Sequence, residues 1–250
     1  MLSRLIRRLA SIRTERTNVV TSSPLNVNQN TRDILSGVAD LPYFAGLEQA
    51  GRDGRVLHRQ DIYSSGPPVD DVHGEMLDYL LQHAGHSVLD IGCGLAPYVG
   101  ALLSRGFRAE GIENDLALVT AAQALGRPVR FMDGRWLEYP DDDFDTSVLI
   151  EVVEHIDDYE TVLREAFRVA RHNVIVSVPN IGPIPFMSVH HVVPWHLLES
   201  THINFFTPLI LENLLRRLFP ASKVQVEGYS RIKVNGLDID YQIRALVLKT

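Results

Sequence analysis

Asp90, Gly92, Gly94 and Ala96 occupy alternate positions of VLDIGCGLAP, residues 88–97. Apolar Val88 and Leu89 precede them, and the helix-forming run PYVGALLSRG follows. A strand, a tight glycine turn and a helix start make a place where a ligand touches backbone. Two more acids fall in phase with this turn. Glu113 ends the next apolar run in GIEND, about twenty residues on, where a carboxylate can accept hydrogen bonds from ribose hydroxyls. Asp133 ends the third in FMDGRW, where a carboxylate can accept from an adenine amino group. Any one of these acids alone reads as a solvated loop residue. Three in order, each closing a successive strand, form a constellation.

A nicotinamide site would want G-x-G-x-x-G, but the third glycine position in GCGLAP is Pro97. Proline can open a helix, yet it does not give the close helix–strand contact of that glycine. Asp90 would also confront a pyrophosphate. An acid there suits a ligand with an ammonium, a sulfonium, a ribose and no phosphate, which is S-adenosylmethionine. Cys93, between the glycines, reads as a small turn-filling residue and not as a nucleophile.

Methyl transfer from a sulfonium is an in-line displacement, so placing the acceptor ~3 Å from the donor carbon supplies much of the rate. A hydroxyl acceptor also gains from a base, for which histidine is suited near pH 7. His155 follows the fourth strand in EVVEHIDD. His190, His191, His196 and His202 cluster in an insertion at about 180–206, after the fifth strand, with Phe186, Trp195, Phe205 and Phe206. Such a segment is expected to act as a lid over an apolar or ring-shaped acceptor. His155 and His202 are the expected catalytic pair, His202 because THINFFTP leads into the next helix. Each histidine singly could instead be satisfying a loop hydrogen bond.

These groups need a scaffold. At 250 residues with 45% apolar content, the chain fits one large domain with additions. SVLDIG, FRAEGIE, PVRFMD, TSVLIEV and HNVIVSVP alternate with helical runs of ten to thirteen residues. That order implies a parallel, doubly wound α/β sheet. SKVQVEGYSR and LDIDYQIRALVLKT add a terminal antiparallel hairpin, giving seven strands. In DDYETVLREAF, Asp157 and Glu160 are spaced like a capping box. The expected division is an N-terminal extension, 1–68, and a catalytic domain, 69–250.

Charge separates the same two parts. The chain carries −7, of which residues 1–20, with five arginines and one glutamate, contribute +4, leaving −11 on the rest. An acidic body is poorly suited to a phosphate backbone, so nucleic acid is not expected. In MLSRLIRRLASIRTER, Leu2, Leu5, Ile6, Leu9 and Ile12 fall at helical spacing among arginines. Residues 1–16 therefore read as a basic amphipathic helix for an anionic membrane surface, an organellar presequence, or a frayed extension. A single cysteine and no apolar run of ~20 residues lead to an expected cytoplasmic location.

VLDIGCGLAPYVGALLSRGFRAEGIEND and VRFMDGRWLEYPDDDFDTSVLIEVVEHIDD together resemble the class I S-adenosylmethionine-dependent methyltransferases, closest to the group with the ubiquinone-pathway O-methyltransferases. The resemblance spans roughly residues 70–220. It implies a Rossmann-like methyltransferase fold and a donor site at Asp90, Gly92, Cys93, Gly94, Glu113, Asn114, Asp133, Gly134 and Glu151. In it the glycine turn holds the methionine part, Glu113 the ribose and Asp133 the adenine, with Glu151 beside the sulfonium. Ala96 departs from a frequent glycine, which bears on the turn because alanine disfavours positive φ. Glu151, Glu154 and His155 also resemble, with one later histidine, the metal site of small-RNA 2′-O-methyltransferases. The same E-V-x-E-H occurs in the metal-free small-molecule branch, and the body is acidic, so no metal is expected. The resulting expectation is O-methylation of a small-molecule or lipid-linked acceptor. A metal-dependent RNA enzyme and a non-catalytic donor-binding module are the alternatives.

Overall fold

Every residue of β1 (Ser87–Ile91) is buried, as a strand covered on both faces requires. A computed structural model describes residues 53–56, 69–197 and 199–250; the basic segment 1–16 lies outside them. β1 pairs in parallel with β2 (Arg108–Glu113) on one side and β4 (Phe144–Ile150) on the other. β3 (Val129–Phe131) extends the sheet beyond β2, and β5 (Ala170–Pro179) extends it beyond β4, both in parallel. β6 (Lys223–Val234) and β7 (Leu237–Leu248) form an antiparallel hairpin, and β7 inserts between β5 and β6. The order is β3-β2-β1-β4-β5-β7-β6, the doubly wound seven-stranded sheet expected, with its antiparallel end.

The period of two along each strand splits neighbouring side chains between two cores. Leu89, Leu149, Val174 and Val176 face α4 (Tyr159–Val169) and α6 (Pro208–Leu218). Val88, Val148 and Ile175 face α1 (Gly74–His83), α2 (Pro97–Leu103) and α3 (Leu116–Ala124). Local signals set the helix starts. Asp115 caps α3 by accepting from the amides of Ala117 and Leu118. The cap of α4 is Asp158, which accepts from Thr161 N at 3.4 Å, one residue later than the D-x-x-E spacing indicated. Glu160 is thereby left to pair with Arg217 at 2.6 Å, and β5 begins at Ala170, directly after α4.

The helix after β1 (α2) covers one face of the sheet and the helix after β4 (α4) covers the other, so the chain leaves these two adjacent strands towards opposite sides. The carboxyl ends of β1, β2 and β4 therefore diverge around a crevice, where ligands bind in open α/β sheets. The chain divides by contact into Met1–Pro67 and Pro68–Thr250, and all seven strands lie in the second unit. Among the described residues no helix is long and apolar enough to cross a membrane.

Candidate active site

The crevice is a cavity of about 390 Å³, lined by Gly92 after β1, by Glu113 and Asn114 after β2, by Asp133, Gly134 and Arg135 after β3, and by Glu151 and His155 after β4. Seven of the residues expected from sequence thus meet in one place. Val152, Ile156 and Val162 form its apolar wall. These three had no distinguishing signal, because apolar residues beside a strand end read as core.

The turn is built by its glycines. Gly92 has φ +72°, and a Cβ there would lie 2.9 Å from both methyls of Val152. Ala96 takes φ +57° despite its methyl, at the position where a glycine was the alternative, so this sequence keeps the left-handed turn at a cost of ~1–2 kcal/mol. Cys93 points away from the cavity, 2.5 Å from where a Cβ on Gly111 would stand. Burial, with Asp90 and Glu113 nearby, drives its thiol pKa far up. It fills the turn and is not a nucleophile.

The acids serve the backbone as well as the cavity. Glu113 accepts from Asn114 N at 2.7 Å and Asp115 N at 3.0 Å through one oxygen, and from Gly94 N at 3.0 Å through the other. It thereby joins the β1 turn to the end of β2. Asp90 lies under the turn, 3% exposed, and does not itself line the cavity. Burial first, and Glu113 second, raise its pKa to about 7. A cation above it would reverse that shift. Asp133 stands two residues beyond β3, in a bidentate pair with Arg135, whose shortest contact is 2.6 Å. Hydrogen bonds from that guanidinium hold its pKa below the usual carboxylate range.

At the other end, Glu151 has φ +56°, a strained conformation of the kind concentrated at functional sites. Its carboxylate accepts from Ser177 Oγ at 2.6 Å, and that oxygen lies 2.5 Å from Tyr229 Oη. Burial raises the pKa of Glu151. Burial first, then the charge of Glu151, raise that of Glu154 well above the usual range. His155 and His202 face each other edge to face, ring centroids 4.6 Å apart. Burial lowers both pKa values, His202 to about 4, so both rings are neutral at pH 7.

The insertion divides its histidines. Its ends are tied by the bridge of Asn180 to Phe206. His190 meets Asn235 at the hairpin tip, 2.6 Å away, and His191 is exposed. α5 (Ile184–Val189) places Phe186 and Met187 against Val234, Ile239 and Tyr241 of the hairpin. His196 is buried, its Nε2 3.1 Å from the Tyr241 carbonyl. No described residue of 180–206 lines the main cavity. His202 approaches it only through His155.

The family model described as methionine biosynthesis protein MetW matches residues 74–207. The methyltransferase GfsG of Streptomyces halstedii is 30% identical over 142 residues, 47% of this chain and 47% of that protein. The ubiquinone biosynthesis O-methyltransferase of Azorhizobium caulinodans is 28% identical over 164 residues, 56% of this chain and 64% of that one. The matches span less than two thirds of either relative. The crystal structure of magnesium protoporphyrin IX methyltransferase from Synechocystis PCC 6803, with bound SAH, is 14% identical with a TM-score of 0.53, covering 99% of this chain and 95% of that chain. That likeness is one of fold.

Proposed function

Since the chain belongs to the family of the methionine biosynthesis protein MetW, within the class I S-adenosylmethionine-dependent methyltransferases, we propose that it binds S-adenosylmethionine and passes its methyl group in line to an oxygen of a small or lipid-linked acceptor. The observation that carries this reading is the cavity itself. Its carboxylates follow consecutive strands in the order a ribose and an adenine would need, and Asp90 lies beneath the turn where the donor's ammonium would sit.

The acceptor side is the end of the cavity at Glu151 and His155. The neutral imidazole of His155 there has a free lone pair for the acceptor. As a general base, a ring with a pKa of about 4, like His202, is poorly matched to pH 7, so placement of the acceptor contributes more than proton removal. An apolar acceptor is supported by a separate groove of about 640 Å³ between the 203–206 segment and α6, where Ile203, Phe205 and Ile210 line it together with the polar Asn204, Asn213 and Arg217. The acidic body disfavours RNA as the acceptor. The deciding experiment incubates the full chain with methyl-labelled S-adenosylmethionine and fractionated cell extract. Transfer of label into a small-molecule or lipid fraction supports the reading. Label in RNA, or no transfer by protein that binds the donor, refutes it.

A further inference from the structure

Three acids line the cavity at or just after the ends of β2, β3 and β4, and each is held differently. Asp133 is neutralised by the Arg135 guanidinium. Glu113 is engaged by three backbone amides. Glu151 is held by two uncharged side chains, the Ser177 hydroxyl, which donates at 2.6 Å, and Gln242. A distance of 2.6 Å lies in the short range of a charge-assisted O–H···O⁻ bond.

The bonds to Glu151 run in one direction. An ionised carboxylate only accepts, so Ser177 Oγ gives its proton to Glu151. The Tyr229 hydroxyl, 2.5 Å from the same serine oxygen, then has to donate to it. Ser177 and Tyr229 are 0% and 3% exposed, and hydrogen bonds in series in a dry interior strengthen one another. Tyr229 stays a phenol, because burial first and the charge of Glu151 second push its pKa far up. Glu154, three residues on, has no hydrogen-bond donor. Burial and then the charge of Glu151 raise its pKa well above the usual range, so of these two acids it is Glu151 that carries the charge.

Four strands deliver these groups. Glu151 follows β4 with φ +56°, and its amide donates to the Ser177 carbonyl at 3.0 Å. Ser177 of β5 therefore holds both the backbone and the carboxylate of Glu151. Tyr229 of β6 and Gln242 of β7 are direct partners across the terminal hairpin, and Gln242 is paired in turn with Pro179 of β5. The order β3-β2-β1-β4 puts Glu151 at the opposite end of the cavity from Asp133, on the far side of the glycine turn.

We propose that Ser177, Tyr229 and Gln242 are positioning residues that keep Glu151 as an ionised carboxylate at its end of the cavity. That carboxylate makes the cavity favour a ligand with a positive charge there over its neutral counterpart. Naming the cation as the sulfonium of S-adenosylmethionine rests on the methyl-transfer reading. When the methyl carbon bonds to the acceptor, the electron pair of the broken S–C bond stays on sulfur and the donor becomes a neutral thioether. Glu151 then no longer faces a positive charge, which loosens the product relative to the donor.

The test titrates S-adenosylmethionine and S-adenosylhomocysteine separately into the full chain by calorimetry and compares the ratio of the two affinities. Glu151→Gln should lower the preference for S-adenosylmethionine on the order of tenfold, the effect of removing one opposite charge nearby. Tyr229→Phe, which keeps the ring, and Ser177→Ala should each lower it roughly threefold, as for one lost hydrogen bond. Affinity for S-adenosylhomocysteine should stay within about twofold in both. Ser177→Thr restores the hydroxyl and should return the wild-type ratio. A merely structural role weakens both ligands alike and leaves the ratio unmoved. If Ser177→Ala misfolds, Tyr229→Phe decides. An unchanged ratio in Glu151→Gln or in Tyr229→Phe overturns the proposal and leaves the donor site standing. Folded wild type that binds neither ligand overturns the methyl-transfer reading, and the proposal with it.

Discussion

Arg135 grips both carboxylate oxygens of Asp133 at the mouth of the cavity, 3.0 Å from one through Nε and 2.6 Å from the other through Nη2. The carboxylate placed to accept from an adenine amino group is therefore already engaged by its own loop. An adenine held by Asp133 would compete with this ion pair. The pair is substantially exposed on both sides, so solvent and salt screen it and it is weak. Arg135→Ala should accordingly raise S-adenosylhomocysteine affinity by up to about fivefold in calorimetry. Weaker binding in the variant would instead make Arg135 part of the donor site.

Glu113 has two tasks, and two substitutions separate them. Glu113→Ala removes the charged acceptor and should weaken S-adenosylmethionine binding by ~1.5–3 kcal/mol. It also strips the acceptor from three backbone amides, so its melting temperature should fall. Glu113→Gln keeps a carbonyl for some of those amides and should unfold at a higher temperature than the alanine variant, while still binding the donor more weakly than wild type. Equal donor affinity in all three proteins would remove Glu113 from the ribose site.

Asp90, buried beneath the glycine turn, is expected to make donor binding pH-dependent through its charge. Its folded-state pKa is raised to about 7 by burial and by Glu113, so the ligand-free protein keeps it largely protonated below that value. A raised carboxyl pKa contributes stability that is full below the unfolded value of ~3.9 and is lost as pH rises through about 7. The donor's ammonium favours the carboxylate, so binding releases a proton on the acid side. Donor affinity should rise with pH up to about 7, approaching tenfold per unit well below that point, and then level off. Calorimetry in buffers of different ionisation enthalpy measures the released proton. A flat profile from pH 5.5 to 8 for wild type would refute the contact.

His155 and His202 are expected to serve the acceptor and not the donor. His155→Ala and His202→Ala should keep donor affinity within about twofold while methyl transfer falls on the order of 10²-fold, the loss expected when an acceptor is misplaced by about 1 Å. Lost donor binding in either variant would move that residue to the donor site. Full transfer in both would remove the histidines from the chemistry.

The basic segment yields a prediction from sequence alone. Deleting residues 1–16 should abolish sedimentation with anionic vesicles and leave donor affinity intact. Vesicle binding by the intact chain should weaken as salt rises, because exposed charges are screened beyond ~8 Å at physiological ionic strength. Intact protein that stays in the supernatant of such vesicles would assign residues 1–16 to a plain extension.

The alternation of apolar runs with amphipathic helices was enough to predict the doubly wound sheet, because strand and helix periods are local and the crossover rule leaves few topologies. It also put Asp90, Glu113 and Asp133 at successive strand ends, since in such a sheet position along the chain maps onto position at the crevice, whereas Glu151 followed from the family resemblance. Three things were not local. The guanidinium of Arg135 lies on Asp133 because of loop geometry that no spacing rule specifies. The insertion packs on the β6–β7 hairpin, through Phe186 and Met187 against Val234, Ile239 and Tyr241, because the hairpin extends past the sheet and offers apolar surface there. His202 reaches His155, with centroids 4.6 Å apart, only because Asn204 and the 203–204 amides are hydrogen-bonded to the turn at 153–156. The sequence by itself determined which residues are acids and imidazoles and on which strand ends they fall. Tertiary structure decided which of them share an environment, because burial and hydrogen bonding between distant segments, and not spacing, leave the Glu154 carboxyl without a hydrogen-bond partner and bring His202 beside His155.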